Sequence, residues 1–174
     1  LPFDQNTQKD CHSMSKTITA AAMIRALQIR GIGLDARIYD YFPEEFQNIT
    51  PGISPKLITF QQLLSHQSGF GDSAKTWSEL RNELQSGPDY VLGSDTVYSN
   101  WNYGMCRLLI PYVLYTNEMR EIEGTVTSSQ LYAGCADLYI NFTRDWILKP
   151  AGAHATRTRP PQNPQSVNFS YLYS

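Results

Sequence analysis

Ser13-Met14-Ser15-Lys16-Thr17-Ile18-Thr19-Ala20-Ala21-Ala22-Met23-Ile24-Arg25-Ala26-Leu27-Gln28-Ile29-Arg30 is the stretch on which the reading of this chain turns. From Met14 onward it consists of helix formers, with Ile18, Ala21, Ala22, Arg25 and Ile29 recurring at helical spacing, and Gly31 supplies the stop. A helix over 14–30 follows. Ser13 precedes Lys16 by three positions, which sets a hydroxyl and an amine on one helical face, a turn apart. A serine with its own base can attack an acyl carbon, provided the amine loses its proton near neutral pH, and burial or neighbouring positive charge favours that loss. Ser15 is a competing hydroxyl, but as the immediate neighbour of Lys16 it points to a different face. At average composition a Ser-x-x-Lys arises by chance about once in 200 to 300 positions, so the pair decides nothing alone.

Its company is Tyr98-Ser99-Asn100, after an extended stretch from Tyr90 and ahead of Trp101-Asn102-Tyr103-Gly104 and a helix. A turn of that kind aims side chains into a cleft. A phenol beside a Ser-Lys pair can pass a proton, and an amide can hold the amine or a substrate carbonyl. Standing alone, Tyr98 reads as an interfacial aromatic and Asn100 as a helix cap.

Between the two motifs, 31–43 reads as an irregular connection with one short helical turn, lying over the first helix. Thr59 caps a short helix through His66 that ends near Gly69, and Thr76 to Gln85 forms another. A helix from Asn102 to Tyr115 is expected to break or kink at Pro111, and a further one runs from Ser128 to Leu148. Two-residue alternation is almost absent, so no sheet of any size is expected. Residues 1–157 form one helical region with both motifs, and 158–174, with Pro160, Pro161 and Pro164, reads as a Pro-rich tail or the start of a further segment.

Composition excludes several classes of function. The 174 residues are 41% apolar and 17% charged, a balance suited to a folded core. Formal charge is −2, and the positive charges cluster only at Arg157 and Arg159, so nucleic acid is not an expected partner. Apolar runs break within about ten residues, short of the roughly 20 that cross a bilayer, so no transmembrane segment is expected. Cys11, Cys106 and Cys135 allow at most one disulfide, and none of them pairs with His12, His66 or His154 at zinc-site spacing; neither metal nor cofactor is expected. The opening Leu1-Pro2-Phe3-Asp4 has no initiator Met, so the chain reads as mature, trimmed or a fragment. Three Asn-x-Ser/Thr triplets, at Asn48, Asn141 and Asn168, add slight weight to secretion.

Taken together the residues resemble the serine β-lactamase and penicillin-binding-protein superfamily, in particular its branch of class C β-lactamases, D-Ala-D-Ala carboxypeptidases and related esterases. The resemblance is collinear through Ser13-Met14-Ser15-Lys16-Thr17-Ile18-Thr19-Ala20, Arg30-Gly31-Ile32-Gly33-Leu34-Asp35, Ile58-Thr59-Phe60-Gln61-Gln62-Leu63-Leu64-Ser65-His66-Gln67-Ser68-Gly69, Tyr98-Ser99-Asn100 and Ile147-Leu148-Lys149-Pro150-Ala151-Gly152. It implies a β-lactamase/transpeptidase-like α/β fold, of which the residues present form the helical part without most of the sheet. It also implies an acyl-enzyme on Ser13, with Lys16 as base and Tyr98 and Asn100 as proton relay and substrate-orienting pair. The substrate would be a β-lactam, a D-amino-acid peptide or a small ester, and the location secreted or periplasmic. His66 falls in a segment that resembles a structural one of the family and is expected to be packed and hydrogen-bonded; His12 diverges from Ser13 in direction, and Cys11 is expected to be a buried free thiol, with a redox or metal-sensitive role as the alternative.

No Lys-Thr-Gly, Lys-Ser-Gly or His-x-Gly occurs, so the resemblance supplies one oxyanion donor where the family uses two. Only twelve residues precede Ser13. The chain is therefore expected to be a fragment or part of a longer chain. The alternative to a serine hydrolase is a non-catalytic helical fragment or pseudoenzyme that binds a partner through the face its sheet would cover.

Overall fold

A computed structural model describes residues 12–48, 53–71, 76–93, 96–153, 156–158 and 172–173. Cys11, His154, most of the Pro-rich tail and the triplet at Asn168 lie outside them.

Helix α1 (Ser15–Arg30) follows a single 3₁₀ turn, His12–Met14. It ends where a residue without a Cβ was needed: Gly31 has φ +66°, its N–H bonds the Gln28 carbonyl and the Ile32 N–H reaches back to Leu27 at 2.9 Å. Ser15, Lys16, Thr19, Ala22, Met23, Ala26 and Leu27 face inward, while Arg25 and Ile29 lie outside. Both faces of α1 are apolar enough to bury, and the polar Lys16 and Thr19 find partners only on the inner one.

A 3₁₀ turn, Ile38–Tyr41, is the short helical turn expected in the connection, although it packs chiefly on α3 (Ile53–Leu57) and α6 (Asn100–Leu114) rather than over α1. Helices α4 (Phe60–Leu64) and α5 (Trp77–Ser86) begin in capping boxes, Thr59 with Gln62 and Thr76 with Glu79, each satisfying two helix-start N–H groups. A one-turn α2 (Glu44–Gln47) sends Phe46 against Trp77 edge-to-face at 4.8 Å.

Helix α6 (Asn100–Leu114) is the axis of the molecule, buried from Trp101 to Val113 and packed on α1, α4 and the helix Ser128–Thr143. It starts two residues earlier than expected because Ser99 is its cap, the Ser99 Oγ accepting from the Trp101 N–H at 3.1 Å. It also runs through Pro111 and stops three residues later, before α7 (Thr116–Ile122), a polar helix without a readable apolar period. The last long helix, α8 (Ser128–Thr143), starts in a third capping box, Thr127 with Gln130, and passes into a π-helical turn, Arg144–Leu148, so the element expected over 128–148 changes type at Arg144. Among the described residues the only sheet is one antiparallel pair, β1 (Arg157–Thr158) and β2 (Leu172–Tyr173). No helix among them is long and apolar enough to cross a membrane.

Candidate active site

The start of α1 and the start of α6 meet at one point. Ser13 lies in the exposed turn just before α1, and three residues on, Lys16 is drawn inward until only 7% of it is exposed. Its Nζ donates to the Ser13 Oγ at 3.3 Å and to the Asn100 Oδ1 at 2.6 Å. The Ser13 Oγ shares a second hydrogen bond, 2.6 Å, with the Tyr98 hydroxyl. Ser13, Lys16, Tyr98 and Asn100, split by some 85 positions of chain, thus form one connected group. Ser15 takes no part in it: its hydroxyl donates back to the His12 carbonyl, on the buried side.

Two phenol rings flank the amine. Nζ sits 4.7 Å from the centre of the Tyr98 ring and 5.9 Å from that of Tyr103. Tyr98 stands half in solvent, whereas Tyr103 is buried and donates to the Leu64 carbonyl at 2.9 Å. Burial, with smaller contributions from Cys106 and Tyr98, pushes the Tyr103 phenol up to about 12, so it remains a neutral donor. Behind α1, the Thr19 hydroxyl donates to the Ser15 carbonyl at 3.2 Å and accepts from Tyr139 of α8 at 2.7 Å, tying α1 to the core.

The turn that presents Tyr98 and Asn100 is held from below. The Ser99 hydroxyl donates to the Gly71 carbonyl at 2.7 Å, the Ser99 N–H donates to His66 Nδ1 at 3.1 Å, and the Val97 N–H to the His66 carbonyl at 2.9 Å. Phe70 stacks on Trp101, ring centres 4.0 Å apart. A hydroxyl in contact with a buried amine and a phenol, on the rim of the protein and open to a ligand, is an arrangement suited to acyl transfer. Among the described residues no three His, Cys, Asp or Glu side chains gather as a metal site.

A family model for β-lactamases matches residues 1–168. The chain belongs to the β-lactamase family. Membership places it in the serine hydrolase superfamily, and solved structures of this family share its fold. One is a class C β-lactamase in complex with cefoxitin, TM-score 0.67 at 19% identity, covering 100% of this chain and 49% of that one. Another is a β-lactamase/D-alanine carboxypeptidase from Yersinia pestis complexed with citrate, TM-score 0.67 at 17% identity, covering 98% and 51%. The same fold is found in a D-stereospecific amidohydrolase from Streptomyces, TM-score 0.58 at 20% identity, covering 91% and 48%. This β-lactamase-family chain spans about half the length of these structures, and what it holds of their fold is the helical part. No curated protein matches it.

Of this candidate site, sequence reasoning singled out Ser13, Lys16, Tyr98 and Asn100, which the structure brings together, but not the residues that hold them. Tyr103, Ser99 and the pair Ser68 and Asn102 were not singled out, while His66, expected to be packed and hydrogen-bonded, is both. The signal for Tyr103 was present: it stands three positions after Asn100, one turn along the same face of α6.

Proposed function

We propose that this chain holds the nucleophile half of a serine acyl-transfer site. Ser13 attacks the carbonyl, Lys16 takes the hydroxyl proton, Tyr98 relays it to the leaving group, and Asn100 holds the Lys16 head on line while offering its amide to the substrate. The supporting observation is the single connected group Tyr98–Ser13–Lys16–Asn100, with bonds of 2.6, 3.3 and 2.6 Å. An amine sequestered beside a hydroxyl that stays open to solvent suits attack on an outside ligand better than it suits a stabilising bond, which would be buried at both ends.

The Ser13 backbone N–H supplies one oxyanion donor, and the sequence offers no second from a Lys-Thr-Gly or His-x-Gly strand. One missing donor typically costs 100-fold to 1,000-fold in rate, so turnover by these 174 residues alone is slow. The substrate class is a strained or activated acyl group: a β-lactam, a D-amino-acid peptide or a small ester. Three parallel incubations test this, with a chromogenic β-lactam, a D-alanyl-D-alanine peptide and p-nitrophenyl acetate, each followed by intact mass. The proposal expects an acyl adduct with at least one of the three that hydroxylamine removes. No adduct from any of them, on this chain or on a longer protein containing it, rejects the reading.

A further inference from the structure

His66 lies directly beneath the turn that presents Tyr98, and its surroundings fix more than its packing. Its backbone sits in the left-handed region, φ +59°, a conformation a non-glycine residue adopts at a cost. That twist carries the ring under the turn, where it stacks on Tyr98 with centres 4.9 Å apart and rests on Tyr103 at 5.2 Å. Two groups approach the same ring nitrogen. The Ser99 N–H points at Nδ1 from 3.1 Å, and the Asn102 side-chain nitrogen stands 3.2 Å from it.

The orientation of the Asn102 amide follows from its other end. The buried Ser68 hydroxyl, which accepts from the Phe70 N–H, gives its proton to the Asn102 Oδ1. The amide therefore faces His66 with its NH₂, and both groups at Nδ1 are donors. Nδ1 must be the lone-pair nitrogen, and the ring proton resides on Nε2.

We propose that His66, held in this Nε2–H tautomer, is a positioning residue that sets the Tyr98 hydroxyl against Ser13. Nδ1 pins the Ser99 N–H, one peptide from Tyr98, and the ring face supports the Tyr98 ring, so the 2.6 Å phenol contact to Ser13 is fixed at both ends of the tyrosine. The effect on rate rests on the acyl-transfer reading above; the tautomer and the grip on the turn do not.

Two variants separate the contacts from the backbone. His66→Gly adopts φ +59° without strain and removes both contacts, while His66→Asn tolerates the same φ and returns an acceptor two bonds from Cβ, where Nδ1 stood. In the ¹⁵N-labelled protein, the His66 imidazole is expected to show an unprotonated Nδ1 and a protonated Nε2. The Ser99 amide is expected to exchange slowly in the wild type and in His66→Asn and quickly in His66→Gly, which also loses the Tyr98-to-Ser13 side-chain NOE. Labelling of Ser13 by a fluorophosphonate is expected to fall at least about tenfold in His66→Gly, to recover largely in His66→Asn, and to show no further loss when His66→Gly is added to Tyr98→Phe. A protonated Nδ1, an unchanged Tyr98-to-Ser13 NOE in His66→Gly, or additive losses in the double variant overturns the proposal. Absence of labelling in the wild type rejects the acyl-transfer reading instead, and the resonance measurements still decide the role of His66.

Discussion

Lys16→Met separates what the site does for function from what it does for stability. The Lys16 head is almost wholly buried, and its losses on replacement include hydrogen bonds to Asn100 Oδ1 at 2.6 Å and Ser13 Oγ at 3.3 Å and a ring contact with Tyr98 at 4.7 Å. The two hydrogen bonds are together worth about 2 to 3 kcal/mol net and the ring contact about 0.5 to 1. Methionine has nearly the same length, fills the same space and leaves Asn100, which is half-buried, within reach of water. Against those losses stands the removal of a charged-type head from the interior, whose burial costs several kcal/mol even after relaxation, together with about 0.8 kcal/mol for each methylene-sized apolar group that takes its place. Relief exceeds loss by about 1 to 3 kcal/mol, and at about 2 to 4 °C per kcal/mol for a protein of this size the melting temperature rises by roughly 2 to 12 °C. Urea and thermal unfolding followed by circular dichroism read this directly. A variant that melts below the wild type would refute the reasoning, because Lys16 would then be stabilising and its retention would need no functional explanation.

Tyr98→Phe keeps the ring contacts and removes only the hydroxyl bonded to Ser13, so stability should move by less than about 0.5 kcal/mol while Ser13 acylation slows about 100-fold; equal labelling rates would remove Tyr98 from the proton path. Gly69→Ala should destabilise by more than about 2 kcal/mol, because φ is +81° and the new Cβ would lie 2.5 Å from the Tyr90 carbonyl oxygen, whereas Gly31→Ala, at φ +66° with open space around it, should cost about 1; equal urea midpoints for the two would contradict the packing at Gly69. The Tyr103 phenol, raised in the folded protein from 10.0 to about 12, contributes stability that is intact below pH 10 and is lost as pH climbs through about 12. Melting curves across that interval should therefore fall less steeply in Tyr103→Phe, and an unchanged slope would show that the phenol titrates as in the unfolded chain.

Much of the local structure was legible because the sequence spells it in polar residues. Thr59 and Gln62 and likewise Thr76 and Glu79 stand at capping-box spacing, and Gly31 marks an end that only a left-handed residue closes. The three-residue spacing of Ser13 and Lys16 by itself sets both groups on one face. What failed did so for physical reasons. The burying face of α1 is not legible in its sequence because apolar residues occupy both sides, and the choice falls to Lys16 and Thr19, whose partners Asn100 and Tyr139 are 84 and 120 positions away. Helix α7 has only Met119 to bury and so no period to read. The supports of the second motif were invisible because they depend on His66 taking φ +59°, a backbone state that no neighbouring glycine or proline announces.

The central claim is that Ser13 is the hydroxyl this group of residues serves. Intact-mass measurement and peptide mapping after long incubation with a fluorophosphonate test it most directly, on the wild type, Ser13→Ala and Ser15→Ala. The account predicts a slow single adduct on Ser13 that disappears in Ser13→Ala and persists in Ser15→Ala, whose hydroxyl is turned away onto the His12 carbonyl. An adduct mapped to Ser15, or one that survives Ser13→Ala, would contradict it.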